Sequence, residues 1–541
     1  MRNFILNTLL HLRMRFIGRY LWAPLMVKSK CPGQTQNELL MDIVASRVNT
    51  KFGREHHFAA IKSYADFKHN VAVQSYEDLR PYIEDAEKGI ANSINLSAPL
   101  MYAQTSGTTG KPKYIPILKE TIAQYKNSQH IFAYALFRAI PTVYQGKTLA
   151  IVSPAIEGKL DTGTPYGAMS GLIYKSMPRF VRAKYVVPPN VFELTDYEQK
   201  YFLIAAFALA TKNITLIATA NPSTLLKLEE VISRKWGELI NEINRGNQYG
   251  LKANPARAAE LTALSHEESA AYFAEFWPKL TAVTTWTGGN CAALIPHVKK
   301  LLPLQTQIIE MGYLSSEFRG SITLDVKNNK SMLTLHENFF EFVELNSMDE
   351  NELIFLTIEN LEKGKQYHVY VTTQNGLFRY FINDIVEVDG WVNQTPTIRF
   401  VQKGKGVTNI TGEKLYESHV INAMQTITRE QNIAVDFFMM IAEPDELQYS
   451  FFIESPVIQG FCDWLERYLG NLNIEFEAKR KSDRLKKTNI VFVKAGTSEL
   501  YKQHCLAKGQ REGQFKLLQL QYKKECSFNF SEHVREENEN H

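Results

Sequence analysis

Residues 104–116 read Gln-Thr-Ser-Gly-Thr-Thr-Gly-Lys-Pro-Lys-Tyr-Ile-Pro. Thr105, Ser106, Thr108 and Thr109 supply hydroxyls, Gly107 and Gly110 let backbone N–H groups come close to a ligand, and Lys111 and Lys113 add positive charge. Donors, close backbone approach and counter-charge together suit a polyphosphate. The stretch is not a Walker loop, which has four residues between its glycines and ends in Lys-Ser/Thr. Here two residues separate Gly107 from Gly110, and Pro112 follows Lys111. The flanks Pro99–Ala103 and Tyr114–Ile117 predict two short strands, so the loop joins a hairpin. Taken alone, the segment also reads as a surface turn rich in Gly, Thr and Lys.

On either side of this loop, helical and extended patterns alternate. Leu39, Leu40, Ile43 and Val44 fall at helical spacing. Within the run 66–81, Ser75 and Asp78 form a capping-box pattern that opens a short helix. The runs 148–155 and 214–223 predict buried strands, the second followed by a helix over 224–232. From about 405 onward the segments shorten, with strands at 437–442, 447–454 and 489–496 and a helix near 456–469. The pattern predicts an α/β chain. A large N-terminal domain over 1–402, with mixed or parallel sheets and helices, precedes a small C-terminal α+β domain over 403–541.

Bulk properties narrow the function. The 541 residues carry 61 Lys+Arg against 57 Asp+Glu, a net charge of +4. So small an imbalance over this length argues against a nucleic-acid partner. The five cysteines (Cys31, Cys291, Cys462, Cys505, Cys526) are dispersed and include no C-x-x-C pair, which predicts reduced thiols in a cytoplasmic setting; the chain is separately expected to act as a monomer. Near the N-terminus, Arg13, Arg15 and Arg19 break the apolar run, so neither a spanning helix nor a signal peptide fits. The segment is expected to pack on its own domain with no membrane contact, the alternative being a basic membrane-surface helix.

Three further motifs complete the pattern: Gly-Tyr-Leu-Ser-Ser-Glu at 312–317, Gly-Leu-Phe-Arg-Tyr-Phe-Ile-Asn-Asp-Ile-Val at 376–386, and Gly-Gln-Phe-Lys at 513–516. Each alone is unremarkable: a core tyrosine, a helix-start acid, a turn acid, a surface lysine. In this order, with "SYEDLRPYIE" (75–84), "NPSTLL" (221–226), "NFFEF" (338–342), "GKQYHVYVTTQNGLFRY" (364–380) and "FVQKGKGVTNITGEKLYE" (400–417), the chain resembles the acyl-acid amido synthetases of the Gretchen Hagen type. Those plant enzymes conjugate auxin, jasmonate or benzoates to amino acids and belong to the adenylate-forming superfamily. The resemblance runs from about residue 35 to near the C-terminus.

It implies ATP and Mg²⁺ as cofactors, a hydrophobic or aromatic carboxylic acid as substrate, and an amino acid as acceptor. Thr105, Ser106, Gly107, Thr108, Thr109, Gly110 and Lys113 would hold the ATP phosphates. Tyr313 would lie against adenine, Ser316 would bond phosphate, and Glu317, expected as a surface-cleft carboxylate, would help hold Mg²⁺. Asp384 would accept from the ribose hydroxyls, Lys403 would contact phosphate, and Lys516 and Lys414 would be the catalytic lysines. The acyl pocket would draw on Tyr166–Gly171 and Trp286–Gly289, and the segment Lys403–Gly406 would act as a hinge. The chain departs from the plant pattern at Asn383, where glycine is usual, at Lys403, where arginine is usual, and at Leu517-Leu518 after the late lysine. Asn tolerates positive φ, which keeps the turn before Asp384 possible. Two alternatives accompany this reading: an acyl- or aryl-CoA ligase, and a non-catalytic nucleotide-binding, membrane-associated regulatory protein.

Overall fold

The computed structural model describes residues 2–105, 112–175, 177–264, 272–347, 353–404, 406–433, 435, 437–507 and 517–535. The chain folds as two compact units, one of residues 1–104 and 114–402, the other of residues 105–113 and 403–541.

Strands alternating with amphipathic helices build a parallel sheet in the first unit. β3 (Lys147–Ala150), β6 (Ile214–Ala218), β7 (Ala282–Thr285) and β8 (Gln307–Glu310) lie side by side in chain order, every neighbouring pair parallel. The helix Tyr197–Leu209 is apolar nearly all round and correspondingly buried. Beside it, fully buried Trp277 donates its indole N–H to the Ala208 carbonyl at 3.0 Å.

The predicted strands around residues 104–116 are β1 (Met101–Thr105) and β2 (Lys113–Ile117). With β4 (Gly158–Lys159) and β5 (Pro165–Gly167) they make a sheet of order β2-β1-β5-β4. Six further strands are β9 (Ser321–Asp325), β10 (Lys330–Leu333), β11 (Asn338–Glu344), β12 (Gln366–Thr373), β13 (Tyr380–Val392) and β14 (Thr395–Lys403). They form one sheet of order β11-β12-β13-β14-β10-β9. Against it packs the helix Pro32–Ala45, with Leu39, Leu40, Ile43 and Val44 all buried. The helix capped by Ser75 and Asp78 forms with a reciprocal box and runs Tyr76–Glu87, with Pro81 inside it.

In the second unit, β17 (Phe437–Glu443), β18 (Gln448–Glu454), β19 (Asn489–Val493) and β20 (Leu520–Tyr522) form a sheet of order β19-β18-β17-β20, with apolar clusters on both faces. β15 (Val407–Thr408) and β16 (Leu415–Tyr416) pair separately. The helix expected near 456–469 runs Phe461–Leu472, because Gly460, at φ +78°, ends the preceding turn in a left-handed conformation.

Residues Arg2–Lys28 are helical throughout, interrupted by a π-helical turn at Gly18–Trp22. Met14, Ile17 and Leu25 are buried on one side, and Trp22 meets Tyr134 edge-on. Arg13 bonds His130 Nε2 at 2.7 Å. Burial first, then the Arg13 and Lys126 charges, push the His130 pKa from 6.5 down to about 4. The unfolded chain therefore takes up this proton first as pH falls, so the imidazole's contribution to stability is present above 6.5 and lost between 6.5 and about 4. Thermal melts across that window are expected to show this loss, and His130→Gln should reduce its slope; an unchanged slope would contradict the assignment.

Candidate active site

Ligands of open α/β sheets bind outside the carboxyl ends of the strands. The carboxyl end of β8 runs directly into Gly312–Glu317, and that of β7 into Trp286–Gly289. Gly312 has φ +93°, and a Cβ there would lie 2.5 Å from the Ser321 carbonyl oxygen, so the chain can turn this closely only at glycine. Tyr313 N–H then donates to Ser321 Oγ at 2.8 Å.

The Tyr313 hydroxyl donates to Asp384 Oδ2 at 2.6 Å, both groups buried. Asp384 reaches it from an irregularity in β13: the five residues Phe381 to Ile385 of β13 lie opposite the three residues Tyr370 to His368 of β12. Such a bulge re-aims a side chain, and Asn383 within it has φ +57°, the conformation for which Asn substitutes for glycine. Burial, then the Asp384 charge, raises the Tyr313 pKa well above its ordinary value, so the hydroxyl stays protonated and donates. Phe318 meets the Tyr313 ring edge-on at 5.5 Å, and Phe400 lies nearly parallel to it at 6.0 Å. Phe400, the first residue of the quoted run 400–417 and one given no role there, is in turn backed by Gly289, where a Cβ would fall 2.9 Å from its ring.

Glu317 is 3 % exposed rather than standing in a surface cleft. Asn375 Nδ2, from the turn after β12, donates to the Glu317 carbonyl at 3.3 Å and helps cover it. Glu317 lines a narrow recess with Gln124, Tyr125, Arg319, Glu337 and Asn375. Burial pushes the Arg319 guanidinium down to about 10, partly offset by Glu337, whose Oε1 accepts from Ser128 at 2.6 Å. Ser316 is half-buried on the same loop.

One conspicuous motif residue serves the framework. Arg379 forms a forked ion pair with Glu341 at 2.9 Å, the two side chains 4 % and 1 % exposed, and donates to the Val71 carbonyl at 2.8 Å. The Tyr64 hydroxyl also donates to Glu341. In the loop Trp286–Gly289, both the N–H and the hydroxyl of Thr287 donate to Glu310 Oε2, at 2.6 and 2.7 Å. Gly288 and Gly289 pack closely against Phe400. Of Tyr166–Gly171, Gly171 lines a recess with Val152, Ala155, Tyr174 and Phe192, rimmed by the Lys175–Glu193 ion pair at 2.8 Å.

The remaining candidates belong to the second unit. Thr105 Oγ1 donates to Glu475 at 3.1 Å, and Lys113 Nζ lies 5.6 Å from the Tyr416 ring centroid. Lys403 is buried where the unit begins, and Lys414 is half-buried at φ +40°, next to Glu413, which accepts from the Tyr449 hydroxyl at 2.6 Å. Gly406 has φ +72°. Ser106, Gly107, Thr108, Thr109, Gly110 and Lys516 lie outside the described residues.

Among the described residues, no group of three or more His, Cys, Asp or Glu side chains is arranged to hold a metal. A buried single carboxylate such as Glu317 fits Mg²⁺ in the manner usual for nucleotide sites, where one or two carboxylates and the substrate's phosphates share the ion.

Comparison with known proteins places these features in a family. Residues 25–306, 331–403 and 418–525 match the N-terminal, central and C-terminal domains of the GH3 family. The indole-3-acetic acid-amido synthetase GH3.2 of Arabidopsis thaliana is 25% identical over 457 residues, spanning 76% of this chain and 82% of the relative. GH3.4 of the same plant is 23% identical over 540 residues, spanning 90% and 89%. The solved GH3.15 acyl acid amido synthetase superposes with a TM-score of 0.64 at 21% identity, covering 95% of this chain and 96% of the other. A 2-hydroxyisobutyryl-CoA ligase shares the fold at a TM-score of 0.55 and 11% identity, covering 92% and 91%. The chain belongs to the GH3 family.

Proposed function

We propose that this protein activates a carboxylic acid with ATP and joins it to the amine of an amino acid. A carboxylate oxygen attacks the α-phosphorus, the bond to pyrophosphate breaks, and acyl-AMP forms. The amine nitrogen then attacks the acyl carbonyl, AMP leaves with the electrons of the C–O bond, and the amine's surplus proton is lost. No side-chain nucleophile is needed, so the protein contributes positioning and charge compensation. The observation that carries this reading is the buried Tyr313–Asp384 pair beside Glu317, at the carboxyl end of β8, in a chain matched by GH3 domains along most of its length.

In this reading Thr105 to Gly110, Lys113 and Lys403 bind the phosphates with Ser316, while Tyr313 and Asp384 hold the adenosine. Glu317 holds Mg²⁺, which when bound offsets the phosphate charge. Lys516 and Lys414 are the catalytic lysines. The acid is a hydrophobic or aromatic one, the usual character of such pockets, and the side chains of Val152, Ala155, Tyr174 and Phe192, beside the Lys175–Glu193 ion pair, are the candidates to meet it. We place the reaction in the cytoplasm, with the protein acting as a monomer.

Exchange of labelled pyrophosphate into ATP, dependent on an added acid, tests the first half-reaction; the absence of exchange across a panel of acids would refute it. Amino acids or coenzyme A offered to the preformed acyl-AMP then separate amide from thioester synthesis. If Lys516 serves adenylation alone and the segment Lys403–Gly406 is the hinge between half-reactions, Lys516→Ala is expected to block acyl-AMP formation. The same variant, given prepared acyl-AMP, should make amide at near the parental rate; equal loss of both steps would remove that role.

A further inference from the structure

The first 37 residues contain no Asp or Glu, yet carry Arg2, Arg13, Arg15, Arg19, Lys28 and Lys30. This segment is mostly the helix Arg2–Lys28, whose inner side carries Met14, Ile17 and Leu25. Its outer side should be polar if it met only water. Instead Leu9, Leu12, Phe16, Tyr20 and Val27 are 45%, 56%, 60%, 55% and 68% exposed. At 3.6 residues per turn Leu9, Leu12 and Phe16, which precede the π-helical turn, share an arc of roughly 60°, and Tyr20 and Val27 add exposed apolar surface within and beyond that turn. Exposed Arg15 and Arg19 run along one flank, and the Arg19 guanidinium lies 5.6 Å from the Tyr20 ring centroid. Exposed Arg138, from the helix beneath, adds a further cation over Trp22. Arg13 takes no part in this face, being turned to His130.

We propose that this face docks on an anionic lipid surface, with the helix lying in the headgroup region. An apolar stripe with an aromatic pair, flanked by arginines and free of acids, matches both the acyl boundary and the phosphate charge of such a surface. A protein partner would call for no such exclusion of acidic residues. No helix among the described residues is long and apolar enough to span a membrane, so attachment is peripheral and reversible. The expectation of a helix packed on its own domain thus holds for one side only.

Cosedimentation of the full chain with phosphatidylcholine vesicles, with and without phosphatidylserine, tests the proposal. Binding is expected with the anionic vesicles and should fall at high salt. Phe16→Asp is expected to weaken it by a factor on the order of 10 or more, with thermal midpoint and pyrophosphate release unchanged. Arg15→Gln with Arg19→Gln should weaken it by a similar factor and flatten the salt dependence. Failure to pellet with anionic vesicles would overturn the proposal, as would binding that both variants retain. So would a dimer in solution that Phe16→Asp dissociates, which would make this face an interface between copies.

Discussion

Glu317→Gln is expected to lower acid-dependent pyrophosphate release by a factor on the order of 10² or more, the scale on which single preorganised charge-compensating groups act. Gln keeps the size of the side chain and its capacity for hydrogen bonds, but removes the charge that a hard cation prefers. Because Glu317 is 3 % exposed, truncation to Ala would also open space among Tyr125, Arg319 and Asn375, and loss of activity would then be mixed with loss of fold. The Gln variant avoids that, and its thermal midpoint should stay near the parental value. Raising the Mg²⁺ concentration should restore part of the rate if the defect lies in holding the ion. Asp384→Ala gives a useful contrast: it removes the acceptor of the Tyr313 hydroxyl and should chiefly raise the KM for ATP. Wild-type pyrophosphate release in both variants would show that the site lies elsewhere.

The largest stability effect is expected at a residue with no role in the chemistry. Arg379→Ala should destabilise the first unit by about 3–5 kcal/mol, read from urea unfolding, because Glu341 would keep its charge in the interior without a partner. The pair is forked, both members are almost fully buried, and Arg379 also donates to the Val71 carbonyl. Glu341→Gln should cost less, since it leaves a neutral group able to accept from Tyr64. The double variant Arg379→Ala with Glu341→Gln should be more stable than the sum of the single losses, because no uncompensated charge remains. Additive losses would show that the pair does not act as a unit.

What the sequence made legible were local features whose physics is contained in a few neighbouring residues. The strands flanking 105–113, the capping box at Ser75 and Asp78, and the strands around 437, 448 and 489 all follow from short-range pattern. The positive φ of Asn383 was legible too, because few other side chains tolerate it. The site's interior was not. Tyr313 and Asp384 are 71 residues apart, Glu317 is covered by Asn375 from 58 residues away, and Arg379 finds Glu341 across 38. No periodicity records such meetings, which sheet order and a bulge in β13 decide. The contact of Phe400 was hidden for the same reason: it stands at the head of the run 400–417, but becomes a neighbour of Tyr313 only once β14 has its place beside β13.

The parallel sheet has strands β3, β6, β7 and β8 adjacent in the order of the chain. A ribosome delivering this chain can therefore lengthen the sheet at a single growing edge. No later strand has to be threaded between two already paired, which is the slow and aggregation-exposed part of forming many parallel sheets. A nascent chain halted after Thr285 would hold three strands and offer β7 as an open template. Because Gly312–Glu317 follows the last of the four strands, this loop emerges only after all four, so the platform precedes it in time as well as in space.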